Sequence, residues 1–178
     1  AQRLVRDNLI QSATWYHEQA GKTLDEANAR DDEELRAQAR DRYALAAQTY
    51  AEFIRKNPND KDFYQWTFYL AETLFYAQQY EEAFAQYKVV RELDIDGDEF
   101  RKVQNEAGFN AVKALEEVLT VKIASGEMPG YVLPGSSEQP PEPPSPEDDG
   151  STKLTFEPRA MPPMLGQFVT SLDRYVVL

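Results

Sequence analysis

The 178-residue chain is long enough to bury one real core, and 42% apolar residues with 10 Tyr and 9 Phe exclude a wholly disordered polypeptide. Its 31 acidic residues against 19 basic ones leave a net charge of −12, which argues against nucleic acid or an anionic membrane surface as partner, since these draw on clustered cations. Cysteine is absent, so disulfide and thiolate chemistry are excluded, while oxidising and reducing compartments both stay open.

No run approaches the roughly 20 apolar residues of a membrane span, so direct membrane insertion is not expected. A chain that begins at Ala1 and stops at Leu178 within an apolar-periodic run is expected of a segment of a longer or processed protein.

From Gln2 to about Ala29, residues Leu4, Val5, Leu9, Ala13, Tyr16, Ala20, Leu24 and Ala27 fall mostly on one broad helical face. Gly21 weakens the middle of this run by about 1 kcal/mol relative to Ala, which predicts a break or bend there. Asp31 or Asp32 is placed to cap a second helix that carries Glu33 and Glu34 in its first turn. That helix presents Leu35, Tyr43, Ala46, Ala47, Tyr50, Phe53 and Ile54, and it should end at Asn57-Pro58, because the residue before proline is pushed out of the α region.

The stretch Tyr64–Asp94 holds two further helical runs. Phe68, Leu70, Ala71, Leu74 and Phe75 form the first, and Tyr80, Ala83, Phe84, Tyr87 and Val90 the second. Only the polar pair Gln78-Gln79 separates their apolar stripes, which makes them an antiparallel αα-hairpin. An internal repeat emerges at an offset of 37 residues: Tyr43, Ala46, Tyr50 and Phe53 become Tyr80, Ala83, Tyr87 and Val90.

A turn at Asp96-Gly97-Asp98 leads into a fifth helix from Glu99 to about Ile123, with Phe100, Val103, Ala107, Ala111, Ala114, Leu115, Val118 and Leu119 as its stripe. From 124 to 163 the chain is rich in Pro, Ser and acid, has little to bury, and reads as a disordered insertion. PPEPPSP within it matches a recognition motif for aromatic grooves, with a solvated loop as the plainer reading. A last run, 164–178, reads as helix again. An offset of 125 takes the same four positions to Phe168, Ser171, Tyr175 and Leu178, so this helix is expected to pack back as the partner of the fifth.

No catalytic constellation stands out. His17 is the sole histidine; Glu18 follows it as in the zincin motif, but Gly21 stands where the second histidine belongs, so a structural or surface role is expected. Asp94, Asp96, Asp98 and Glu99 sketch a calcium loop, yet Gly97 comes too early and Asn105 occupies the closing position, leaving a solvated turn as the default. No cofactor or metal is expected.

In its order of large, small and aromatic positions, YQWTFYLAETLFYAQQYEEAFAQYKVVRELD resembles one tetratricopeptide repeat, and Phe109-Asn110 resembles the aromatic-Asn pair of that repeat's first helix. Departures are Thr67 for the usual Trp, Ala71 for the usual Gly and Ile95 where Pro often ends the unit. The resemblance implies an all-α fold of antiparallel hairpins stacked as a short right-handed solenoid. Residues 1–123 would be the repeats, 124–163 the Pro-rich insertion and 164–178 the second helix of the third repeat.

It also implies a concave groove lined by the first helix of each hairpin. Gln65, Phe68, Glu72, Phe75 and Tyr76 would face it, continued by Glu106, Phe109 and Lys113; Phe68 and Phe75 read equally well as core. Tyr69 and Glu72 stand where the carboxylate-clamping form of the repeat needs Asn, so that mode is not expected. FYLAETLFYAQQYEEAFAQYKVV is similar to repeats of bacterial envelope proteins, such as outer-membrane assembly lipoproteins, periplasmic constriction factors and gliding or secretion scaffolds. This implies a periplasmic or envelope-associated location, with the cytoplasm as the alternative.

The expected function is a non-enzymatic scaffold that binds a protein or peptide segment, a basic one given the acidic surface. A spacer that binds only neighbouring repeats of its own chain, and an accessory domain of an enzyme lying outside this segment, remain as alternatives.

Overall fold

A computed structural model describes residues 2–128 and 162–176, and among them the chain is all-α, with six helices and no strand. They are α1 (Gln2–Arg30), α2 (Glu33–Lys56), α3 (Phe63–Tyr76), α4 (Tyr80–Glu92), α5 (Asp98–Ala124) and α6 (Pro163–Val176). Each of the first four packs on its successor, α5 packs on α6, and α3 also touches α5. Among the described residues no helix is long and apolar enough to cross a membrane.

The break expected at Gly21 does not occur: α1 is one continuous helix. Small residues explain its persistence. Ala13, Ala20 and Ala27 are buried at seven-residue intervals and meet α2, which buries Ala39, Ala46 and Ala47. Gly21 belongs to the same close approach, since a Cβ there would sit 3.6 Å from the Tyr43 hydroxyl. Packing against α2 outweighs the intrinsic helix penalty of one glycine.

The α1–α2 turn settles which aspartate caps. Asp31 takes the left-handed conformation (φ 52°), and Asp32 accepts from the amides of Glu34 (2.9 Å) and Leu35 (3.1 Å) as the N-cap. The α3–α4 turn repeats the geometry. There Gln78 is left-handed (φ 62°), and the Gln79 amide donates to the Leu74 carbonyl at 2.9 Å, as the Asp32 amide does to Ala27 at 2.9 Å. Both hairpins thus close with the same six-to-one bond.

Helix α2 ends before Pro58, with the Asn57 amide group donating to the Phe53 carbonyl at 2.8 Å. The α2–α3 connection is held at Asp60 by three donors, one of them the Asp62 amide at 3.0 Å. Arg6 of α1 donates to this carboxylate through Nε (3.1 Å) and a second nitrogen (2.5 Å), and the Trp66 indole of α3 donates at 3.0 Å. At the same open end of the α3–α4 hairpin, Gln104 of α5 donates to the Arg91 (2.6 Å) and Leu93 (3.2 Å) carbonyls where α4 stops.

Helix α5 runs to Ala124, and a turn through Gly126 buries Met128. The Pro-rich insertion expected between 124 and 163 falls, over 129–161, outside the described residues. Helix α6 begins at Pro163, where a missing amide costs nothing, and buries Ser171. Of the four positions matched at offset 125, the side chain of Tyr175 and all of Leu178 lie outside the described residues.

The hairpins differ in length. Tyr43 of α2 stacks on Tyr76, the last residue of α3. Positions 33–42 of α2 continue beyond this pair and run beside the α3–α4 turn. The short α3–α4 hairpin is recessed, and a notch opens beside its turn.

Candidate functional site

The face shared by α1, α3 and α5 carries the least ordinary electrostatics of the molecule. Glu72 sits in the middle of α3, half-buried, and burial pushes its carboxyl up to about 7, with the nearby Glu106 carboxylate of α5 adding to the shift. Among the described residues no lysine or arginine pairs with either glutamate.

Tyrosines surround this pair. Tyr87 of α4 is buried in the core, and burial, reinforced by Glu72 and Tyr76, pushes its phenol far up; a hydrogen bond with Asn110 of α5 works the other way. Tyr76, 46% exposed, stacks on Tyr43 with ring centroids 4.9 Å apart and planes 22° from parallel. Burial, then the charges of Tyr76, Asp25 and Glu72, push the Tyr43 phenol up to about 12. The Tyr43 and Tyr87 phenols therefore stay neutral in the physiological range.

His17 of α1 closes the cluster. Its ring lies edge-on to Tyr43 (5.8 Å), Tyr50 (6.0 Å) and Tyr69 (5.8 Å). Burial lowers its pKa against the opposing pull of Glu18, so it too is neutral and adds no positive charge to the face. The Tyr50 hydroxyl is buried and meets no partner in hydrogen-bond geometry, although Thr14 is near enough to offset part of its burial. The Thr14 hydroxyl donates to the Ile10 carbonyl at 3.0 Å.

Chemically the face offers two carboxylates among aromatic rings, a set suited to a cation, which gains from both the charge and the ring quadrupoles. No group of three or more potential metal ligands occurs among the described residues. The Asp94–Glu99 turn is exposed, and His17 is enclosed by rings.

The residues expected to line a groove divide. Glu72, Tyr76 and Glu106 come together as described. Phe68 is 4% exposed, packs edge-on to Tyr87 at 5.8 Å and belongs to the core. Phe75 is half-buried against Tyr76 (5.8 Å) and Tyr80 (5.3 Å), beside the notch. Gln65 is half-buried, one turn before Tyr69. Phe109, 43% exposed, carries the Lys113 ammonium 4.8 Å over its ring.

Sequence reasoning did not assign His17 or Tyr43 to this face, and it placed Tyr69 at a groove position only to set aside a carboxylate clamp. Tyr43 was marked only as a position of the second helix's stripe and of the 37-residue repeat, and nothing in the local pattern links His17 to residues 26–52 positions away.

No protein-family model, curated protein or solved structure matches the chain.

Proposed function

We propose that the chain is a non-enzymatic protein–protein interaction module. In this reading its helices pair as three stacked hairpins of a tetratricopeptide-like solenoid, and the face of α1, α3 and α5 receives a basic segment of a partner protein. The observation that carries the reading is Glu72: a half-buried carboxylate lifted to about 7 beside a second carboxylate, with no cation supplied by the described residues. An arrangement that works against the stability of the fold is accounted for when a ligand supplies the missing charge. A lysine or arginine side chain does so, and the exposed Tyr76 ring gives its aliphatic stem a surface.

The test is titration with a Lys/Arg-rich peptide of three proteins: wild type, Glu72→Gln/Glu106→Gln, and Asp94→Asn/Asp96→Asn. The second variant removes at least as much negative charge as the first, since Glu72 is itself partly protonated near pH 7. Weakening by about tenfold or more in the first and little change in the second supports the site. Equal weakening reduces it to general attraction by an acidic surface.

A spacer role has its own observation. Trp15 is 56% exposed, and Leu4 and Val5 are exposed on the same helix, as on a face that a preceding hairpin would cover. Concentration-dependent self-association lost in Trp15→Glu would support that role. The similarity to envelope repeats favours a periplasmic or envelope-associated assembly, tested by the compartment in which the full-length protein fractionates.

A further inference from the structure

The notch beside the α3–α4 turn borders the α1/α3/α5 face at Tyr43 and Tyr76, but its charged groups, on α2, are of opposite sign. Its cavity, about 180 Å³, is lined by Leu24 of α1, Arg36 and Arg40 of α2, and Phe75, Tyr76 and Tyr80 at the recessed turn. It exists because positions 33–42 continue past the shorter hairpin, so the two arginines overhang a floor of aromatic rings. The two guanidinium groups are not equivalent. Arg36 is occupied, donating to Asp31 at 2.6 Å and to Glu33 at 2.5 Å. Arg40 has no carboxylate partner among the described residues, in a chain whose acids outnumber its bases by 31 to 19. In so acidic a protein, a half-buried arginine left without a carboxylate is a place for an incoming one.

We infer that this notch receives a single acidic side chain, aspartate or glutamate, presented by a partner polypeptide. The cavity, about 180 Å³, is smaller than the roughly 300–1,000 Å³ of pockets for drug-sized molecules and is of a size to take the end of one side chain. Charge decides for a carboxylate, which the Arg40 fork can bind with two parallel hydrogen bonds. The rings of Phe75, Tyr76 and Tyr80 then cover the methylene stem. The site does not rest on the groove reading: its charged group is Arg40 on α2 and its ligand's sign is opposite, and Tyr76 alone of the proposed contacts serves both.

The test uses N-acetyl-glutamate methylamide and the matching glutamine compound as probes, with the ring signals of Tyr43, Tyr76 and Tyr80 followed by NMR in the full chain. The glutamate probe should shift these signals, and the glutamine probe should need roughly tenfold higher concentration for the same effect. Arg40→Gln should remove the preference. Arg40→Lys, which keeps the charge without the fork, should weaken the response and keep its sign, and it serves as the reporter if Arg40→Gln does not fold. Equal responses to the two probes, an unchanged preference in Arg40→Gln, or rings that respond to neither probe would each overturn the inference.

Discussion

Tyr43 and Tyr76 stack face to face at 4.9 Å, and the pair marks the level at which α3 ends while α1 and α2 continue. Such a pair contributes about 1 kcal/mol beyond the area it buries. Tyr76→Ala should therefore lower unfolding stability by about 1–2 kcal/mol in denaturant titration. Tyr76→Phe keeps the ring and should stay within about 0.5 kcal/mol of wild type. If Phe costs as much as Ala, the phenol oxygen and not the stack is the source.

Glu72 gives stability a pH dependence of determinate sign. Its carboxyl titrates near 7 in the folded chain and near 4.5 when unfolded. Between those values the folded state holds a proton that the unfolded state has lost, so the Glu72 contribution falls as pH rises from about 4.5 to about 7 and stays at its minimum above. Glu72→Gln is neutral throughout and should be the more stable protein at pH 8, by on the order of 2 kcal/mol, with the gap closing toward pH 4.5. The neighbouring His17, whose lowered pKa acts the other way below about 6.5, is common to both proteins and drops out of the difference. A gap independent of pH would place the effect in packing.

Asp60 works in the acid range. Burial alone would raise its carboxyl, but the Arg6 guanidinium, the Asp62 amide and the Trp66 indole together hold it below the usual value. Its side chain is 4% exposed. A depressed carboxyl contributes stability above its unfolded pKa, here about 3.8, that is lost as pH falls through the folded value. Asp60→Ala leaves Arg6 and the indole without their acceptor and should cost about 3 kcal/mol near neutrality. The same variant should lose little further stability on acidification below pH 4, where wild type loses this contribution. Parallel acid denaturation of the two proteins would refute the assignment.

Gln78 occupies a left-handed position (φ 62°) that glycine usually fills at a helix C-terminus. Gln78→Gly relieves a backbone penalty of about 1 kcal/mol and should raise the midpoint of thermal unfolding. The change should leave α3 and α4 intact, because the closing bond from Gln79 to Leu74 uses backbone atoms alone.

The helices were legible because their apolar stripes are dictated locally. Tyr43, Ala46, Tyr50 and Phe53 are all buried, as are Ala83, Tyr87 and Val90 one repeat later. Asn57-Pro58 and Gln78-Gln79 marked turns for reasons visible within a few residues. Gly21 was misread because its fate depends on the Tyr43 hydroxyl arriving from α2, which propensity does not encode.

The site was less legible for the same reason. The resemblance named Glu72 and Glu106 as groove residues, but the raised carboxyl of Glu72 depends on burial and on Glu106 arriving from α5, which the local sequence does not encode. The Asp60 junction joins residues 54 apart in sequence. Arg40 differs from Arg36 only through the Asp31 and Glu33 carboxylates that one reaches and the other does not.

The central claim is that a partner's cation replaces a proton at Glu72. At pH 7 that carboxyl is about half protonated, and a lysine or arginine docking beside it lowers its pKa and drives the proton off. Isothermal titration with a Lys/Arg-rich peptide, repeated at pH 7 in buffers of different ionisation enthalpy, reads this directly. The expected result is release of up to about half a proton per complex in wild type and none in Glu72→Gln. Tight binding by wild type with no proton released would contradict the account.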